Sequence, residues 1–464
     1  MSVTGPITGG EHGWAFGGPV VDFEALGYAS EEYFLEGTAS RYQAAGGTAL
    51  DRDGRWDVEP CESARFKTRF VVYRPVDPAT FNGTVIVSWN NVSAGHDLFG
   101  GDSTELLEGG YAFVGVTAQR VGVHGIAPMN LGLVDWDKER YGTLSIPSDD
   151  YSFDIFTQAA RTVGPDRPRA GVDPMGGLAV RHLVALGASQ SAGRLGTYVN
   201  AIHPITHTFD GYLLQIYFGA GSPLEVGEFV VNLNDPDLSN EGNRRLRLRG
   251  TNMIRDDLDV PVMIVNSELE AIACYNVRQP DTDRLRWWES AGTCHVSEQG
   301  QRARSPKYVR DFGAPMQVAA GINRIPMIPL FDAATRHMHE WVNGGAPPPV
   351  QPRIEFTGDP AEIVRDADGI AKGGIRLPQV EVPIAVNSAI PVVADIFGIL
   401  GGSSHPFSAD DVIARYGDRA SFLAAFTAAA RRAASAGVLL PRDVDALIDE
   451  AAASWDELTE KRPA

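Results

Sequence analysis

The chain has 464 residues, 44% of them hydrophobic and 21% charged, which is the composition of an ordinary globular protein with material for a large core. A formal net charge of −19 argues against nucleic acid or an anionic membrane surface as a partner. No apolar run approaches the ~20 residues that span a bilayer, and MSVTGPITGGEHGW lacks a basic region leading into an apolar stretch, so the expected compartment is the cytoplasm.

Up to about residue 60 the chain is rich in glycine and aromatic residues, and SEEYFLEGTASRYQ (Ser30–Gln43) is predicted to be helical. RFKTRFVVYRPVD alternates apolar and polar residues and predicts a strand ending at Pro75. In GTVIVSWNNVSAG a short apolar strand, Thr84 to Trp89, breaks into a polar loop, and a second buried strand follows from Tyr111 to Thr117. SFDIFTQAARTVG carries Phe153, Phe156, Ala160 and Val163 on one helical face. FDGYLLQIYFG and VPVMIVNSELE are further buried strands, separated by an aperiodic stretch expected to be an inserted cap at about 219–258. AATRHMHEWVNGG predicts a helix stopped by glycines, and APPPVQP then marks a change of style. The remainder is turn-rich through DADGIAKGGIRLP and helical from about Ala409 to Glu460. Strands alternating with helices imply an α/β fold, a mostly parallel sheet covered by helices on both faces. The expected organisation is a core over residues 1–345 and a C-terminal extension over 346–464 packed on it.

LVALGASQSAGRL, Leu183 to Leu195, reads as a strand turning sharply into a helix with a serine at the bend. Such a turn needs small neighbours two residues before and after the serine, and the helix beneath it favours developing negative charge. With Ser189 at the bend, Gly187 precedes and Ser191 follows; with Ser191 there, Ser189 precedes and Gly193 follows. The apolar run stops at Leu186, which favours Ser189 and keeps Ser191 as the alternative. Gln190 N–H would then serve an oxyanion hole, with a second donor from the SWNNVSAG loop, Asn91 first and Asn90 next.

Downstream, IVNSELEAI puts Glu268 and Glu270 at the end of a strand, and AGTCHVS places His295 in a loop. The order nucleophile, acid, histidine is that of an α/β-hydrolase. Glu270 is preferred as the acid, with Glu268 as the alternative. His203, His207, His337 and His339 read as structural or packing residues, whereas His96 and His124 sit in loops that could line a pocket. Trp287 and Trp288 are either core or a platform for a sugar. Cys274 and Cys294 are expected to be free buried thiols, and Cys61 has no CxxC partner.

SWNNVSAGHD, GYAFVGVTAQRVGV, YSFDIFTQAAR, GASQSAGRLGTYVNAIHP, RQPDTDRLRWWESAGTCH and GGIRLP together resemble the bacterial alpha/beta-hydrolase-domain family across nearly the whole chain. The elbow GASQSAG is also similar to the G-x-S-Q-G turn of acetyl xylan and cephalosporin-C deacetylases. The resemblance implies an α/β-hydrolase fold and a serine nucleophile at Ser189. In the family's acid loop an aspartate is expected where this chain has Glu270, in SELE. The expected reaction is hydrolysis of a small-molecule carboxylic ester through an acyl-enzyme by Ser189, His295 and Glu270. It calls for no metal and no organic cofactor, and leaves a homo-oligomer open. Competing readings are acyl transfer or lactone opening with the same residues, an amidase, and a non-catalytic binding protein of this fold.

Overall fold

A computed structural model describes residues 1–98, 100, 103–127, 130–168, 171–225, 250–391 and 396–460. The chain forms two compact units. Unit 1 comprises Met1–Met263, Asn276–Leu285 and Met338–Ala346; unit 2 comprises Ile264–Tyr275, Arg286–His337 and Pro347–Ala464.

Unit 1 is built on strands β1 (Ser2–Thr4), β2 (Tyr28–Ala44), β3 (Val58–Pro75), β4 (Thr84–Trp89), β5 (Ala112–Val116), β6 (His182–Ala188) and β7 (Gly211–Gln215). Their order in the sheet is β1-β2-β3-β5-β4-β6-β7. Pairing is antiparallel from β1 to β3 and between β3 and β5, then parallel through β5, β4, β6 and β7. The parallel strands are apolar runs, as strands buried on both faces must be: every residue of β5 is buried, and all of β4 but Ser88. Three helices matter for the site. They are α1 (Ser152–Arg161), α2 (Gln190–Thr197), which packs on β6 and β7, and α3 (His203–Thr206).

One expectation is overturned. Ser30–Gln43 is not helical but lies within β2, paired with β3 from Tyr28↔Pro75 to Ala44↔Val58 with one register shift between Ser40 and Tyr42. Long-range pairing overrides a local helical pattern here. Glu32, which a helix would have turned to solvent, is 2% exposed and held by Arg69 and Arg140.

The chain crosses into unit 2 within β8 (Val262–Asn266), and α4 (Glu268–Cys274) follows at once. The neighbour of β8 is β9 (Leu285–Glu289), buried throughout. Near the C-terminus, α5 (Arg419–Ser435) and α6 (Asp443–Glu460) pack through Phe422, Phe426 and Trp455, with the Phe422 and Trp455 rings stacked at 5.0 Å. The expected cap falls mostly on residues 226–249, outside the described residues. Its flanks hydrogen-bond to each other, Thr251 N–H to Gly219 O at 2.9 Å and Gly221 N–H to Asn252 Oδ1 at 2.7 Å. Cys61, Cys274 and Cys294 form no disulfide. Among the described residues no helix is long and apolar enough to cross a membrane.

Candidate active site

The turn between β6 and α2 is sharp. Ser189 ends the strand, its N–H donating to Gln215 O at 3.0 Å, and takes φ 61°, ψ −118° before α2 begins at Gln190. A positive φ at a residue with a Cβ costs on the order of 1–3 kcal/mol, and such strain persists where surrounding structure enforces it. Here the enforcing contacts are visible. Ser191 is 1% exposed, and its Oγ accepts from Ala188 N–H at 3.0 Å while donating to Ala188 O at 2.9 Å. That hydroxyl staples the helix to the strand end and is committed to doing so. Gly187 is small for a steric reason: a Cβ there would lie 2.6 Å from Ser191 O. A Cβ on Gly193 would lie 3.1 Å from Ala220 O.

The loop after β4 lies against this turn. Asn91 Nδ2 donates to Ala188 O at 2.9 Å, and Asn91 Oδ1 accepts from Ser93 N–H at 2.8 Å. Both ends of that side chain are used to hold the loop beside the elbow. Of the two candidate loop amides, Asn90 N–H is committed to Val116 O at 3.1 Å. Among the described residues, Asn90 Oδ1 and Gln190 Oε1 are buried acceptors with no hydrogen-bond partner.

Two buried ionic clusters brace these segments. Asp97, in the Asn91 loop, accepts from Arg69 at 3.1 Å, from Asn90 Nδ2 at 3.3 Å and from Thr117 Oγ1. Arg69 in turn binds Glu32 at 2.8 Å, and Arg140 binds the other Glu32 oxygen at 2.6 Å. Beneath α2, Arg194 meets Asp149 at 3.1 Å, and Asp149 also accepts from Gln119 Nε2 at 2.8 Å and Arg120 N–H at 2.6 Å. Burial pulls the Arg194 guanidinium below its ordinary pKa, with the Asp149 charge opposing. Sequence reading missed both clusters. The one signal available was charge inside apolar strand pattern, Arg69 in RFKTRFVVY above all.

In unit 2, Ser267 caps α4 and Glu270 completes a capping box. Glu270 is fully buried, with one carboxylate oxygen accepting from Ser267 N–H (3.1 Å) and Ser267 Oγ. The other lies 2.7 Å from His295 Nδ1. Burial raises the Glu270 pKa, but the facing His295 and the Ser267 hydrogen bonds outweigh it, so the group sits below its ordinary value. The ionised carboxylate therefore accepts from Nδ1–H and fixes the ring's tautomer.

Glu268 occupies a different place. It is also fully buried, but accepts from Gly292 N–H at 2.9 Å, Ala389 N–H at 3.2 Å and Arg365. It ties the histidine loop to the C-terminal region. Val296 N–H to Leu400 O and Ala291 N–H to Ile375 O, both 2.9 Å, do the same, and Asn323 bridges the two parts, its Nδ2 donating to Gly292 O at 2.8 Å and to Ser388 O at 3.4 Å. Residues 347–464 thus scaffold the loop that carries His295. Glu268→Ala would strand Arg365 and two buried amides, and is expected to cost about 3–5 kcal/mol. Urea unfolding of the variant against the parent checks this; an unchanged midpoint would refute the scaffold role.

The other candidates are held by contacts of their own. Trp287 and Trp288 are 1% and 0% exposed, Trp288 Nε1 donating to Pro349 O at 2.9 Å, so they form core and not a sugar platform. His96 is buried with Nδ1 3.1 Å from Asp97 O, and His124 Nε2 accepts from Ile146 N–H at 3.3 Å. His337 bonds Gly437 O and His339 bonds Thr84 Oγ1, each at 2.8 Å. Burial lifts the Cys294 thiol pKa well above normal, and the nearby Glu270 charge adds to it. Among the described residues, the side chains grouped closely enough to share a metal ion are His203, His207 and Asp259, none of them a candidate above.

The family described as Alpha/beta hydrolase domain matches residues 3–449. No curated protein matches the chain. Solved structures share little with it. Esterase Est22 is 12% identical over 53% of this chain and 67% of its own, with a TM-score of 0.30. Brefeldin A esterase, a bacterial homologue of human hormone sensitive lipase, is 13% identical over 54% and 68%, with a TM-score of 0.25. A prolyl endopeptidase is 12% identical over 57% of this chain with a TM-score of 0.29, and the match spans only 35% of that longer protein.

Proposed function

Because the chain belongs to the alpha/beta hydrolase domain family, we propose that it is a serine hydrolase that cleaves small-molecule carboxylic esters through an acyl-enzyme. The observation that carries this reading is the backbone of Ser189. A serine held at φ 61° between a strand and a helix, with its neighbour Ser191 tied down, is the arrangement that lifts one hydroxyl out of a sheet.

Ser189 Oγ attacks the ester carbonyl as His295 takes its proton, giving a tetrahedral oxyanion. Collapse breaks the bond to the alcohol, which leaves with the proton from His295, and the acyl group stays on Ser189. Water then repeats the sequence, giving up its proton to His295 and releasing the acid. Glu270, paired with Nδ1, directs Nε2 to the reaction and stabilises the imidazolium. The oxyanion is assigned to Gln190 N–H, the first amide of α2, which lies before any intrahelical acceptor, and to Asn91 N–H. The cytoplasm is the compartment proposed for it, where thiols outside disulfides are the rule.

A fluorophosphonate probe tests the reading directly. It should label the full chain at the Ser189 peptide, and a panel of p-nitrophenyl esters should be turned over with a preference set by acyl length. Absence of both would leave a binding protein of this fold.

A further inference from the structure

A second cluster in unit 1 lies away from the elbow. The chain from α2 to α3 is helical, with a π turn over Tyr198–Ile202 just before His203 and Pro204. Pro204 has no N–H to offer the carbonyl four residues earlier. That carbonyl, Asn200 O, accepts instead from Arg255 Nη1 at 2.8 Å. Asn200 Oδ1 accepts from Arg255 N–H at 3.0 Å, and its Nδ2 donates to Met253 O at 2.8 Å. The segment leading to Asp259 is thereby fastened to the helix at its proline.

These contacts deliver Asp259 to two histidines one helical turn apart. His203 Nε2 lies 2.8 Å from Asp259 Oδ1, and His207 Nδ1 lies 3.3 Å from Asp259 Oδ2. His203 is buried, and its other nitrogen, Nδ1, meets Tyr212 Oη at 2.9 Å. The three ligand atoms fall within 4.8 Å of one another. One side is open: the His207 and Asp259 side chains are 62% and 58% exposed.

We propose that His203 Nε2, His207 Nδ1 and one oxygen of Asp259 bind a divalent transition-metal ion of the zinc type, with water completing its coordination. Two imidazoles and one carboxylate suit zinc and its first-row neighbours, whereas magnesium and calcium take oxygen ligands. Tyr212 is the supporting partner such a site needs. With the metal on Nε2, the His203 proton resides on Nδ1 and donates to Tyr212 Oη, fixing the ring. Without the ion, His203 Nε2 and His207 Nδ1 face the Asp259 oxygens as N–H donors; with it, each offers the metal a deprotonated nitrogen.

The ion would act as a clamp, not as part of ester cleavage. Ser189 follows β6 and bonds to Gln215 at the carboxyl end of β7, while Tyr212 lies near the start of that strand. At 1.5 Å per residue, the helical chain carries His203 roughly 20 Å from Ser189. A metal there would join α3 to the segment entering β8 and resist fraying of both.

The test uses the full chain freed of metal with EDTA and titrated calorimetrically with zinc chloride in the presence of excess magnesium. One equivalent is expected to bind with micromolar or tighter affinity. His207→Ala and Asp259→Asn, both exposed positions, should each weaken it at least tenfold, while circular dichroism reports an unchanged fold. No zinc binding by the parent, or unchanged stoichiometry and affinity in both variants, would overturn the proposal.

Discussion

Ser189→Ala is expected to lower kcat for p-nitrophenyl esters by on the order of 10⁵-fold or more with little change in KM, because it removes the group proposed to form the covalent bond. Ser191→Ala should behave oppositely. Its hydroxyl makes two hydrogen bonds to Ala188 and none is spare, so its loss should cost about 1–2 kcal/mol of stability and leave kcat within about tenfold. Steady-state kinetics and urea unfolding on the two variants separate chemistry from scaffold. If Ser191→Ala were the inactive one, Ser189 could not be the nucleophile.

Glu270→Gln should lower kcat by roughly 10⁴-fold. The amide can satisfy only one of its two neighbours. If its NH₂ group faces His295, Nδ1 must become the acceptor and the ring adopts the wrong tautomer. If it faces Ser267, the buried capping N–H loses its acceptor. The same carboxylate gives a pH signature. Its folded-state pKa is depressed, so its stabilisation is complete above the unfolded value of about 4.3 and is lost as pH falls through the folded value. The stability gap between parent and Glu270→Gln, read by urea unfolding, should be widest near neutrality, begin to narrow below about pH 4.3 and close as pH falls through the folded value. A gap that widened on acidification would refute the ionised pair.

What the sequence disclosed followed from locality. Thr84–Trp89 is an apolar run bounded by Gly83 and two asparagines, and β4 has those same limits. The bend at Ser189 was legible because Leu183–Leu186 stops against Gly187, whose missing Cβ the turn requires. Glu270 stands three residues after Ser267, the spacing of a capping box, a local signal for one of its two partners that the sequence reading did not use. Glu268 did not, since Arg365 lies 97 residues away and the chain between carries no trace of the pairing. The misread of β2 has the same origin. Its seventeen residues are extended because β3 lies beside them, and Glu32 is tolerated inside only because Arg69 and Arg140 arrive from other parts of the chain.

Glu270 also serves two masters at once. With one oxygen it starts a helix, and with the other it aims an imidazole. The pitch of α4 and the heading of the His295 ring are therefore geared through a single side chain. A shift in how that helix begins would be felt as a turn of the ring, so drift in this short loop is constrained by folding and by chemistry together.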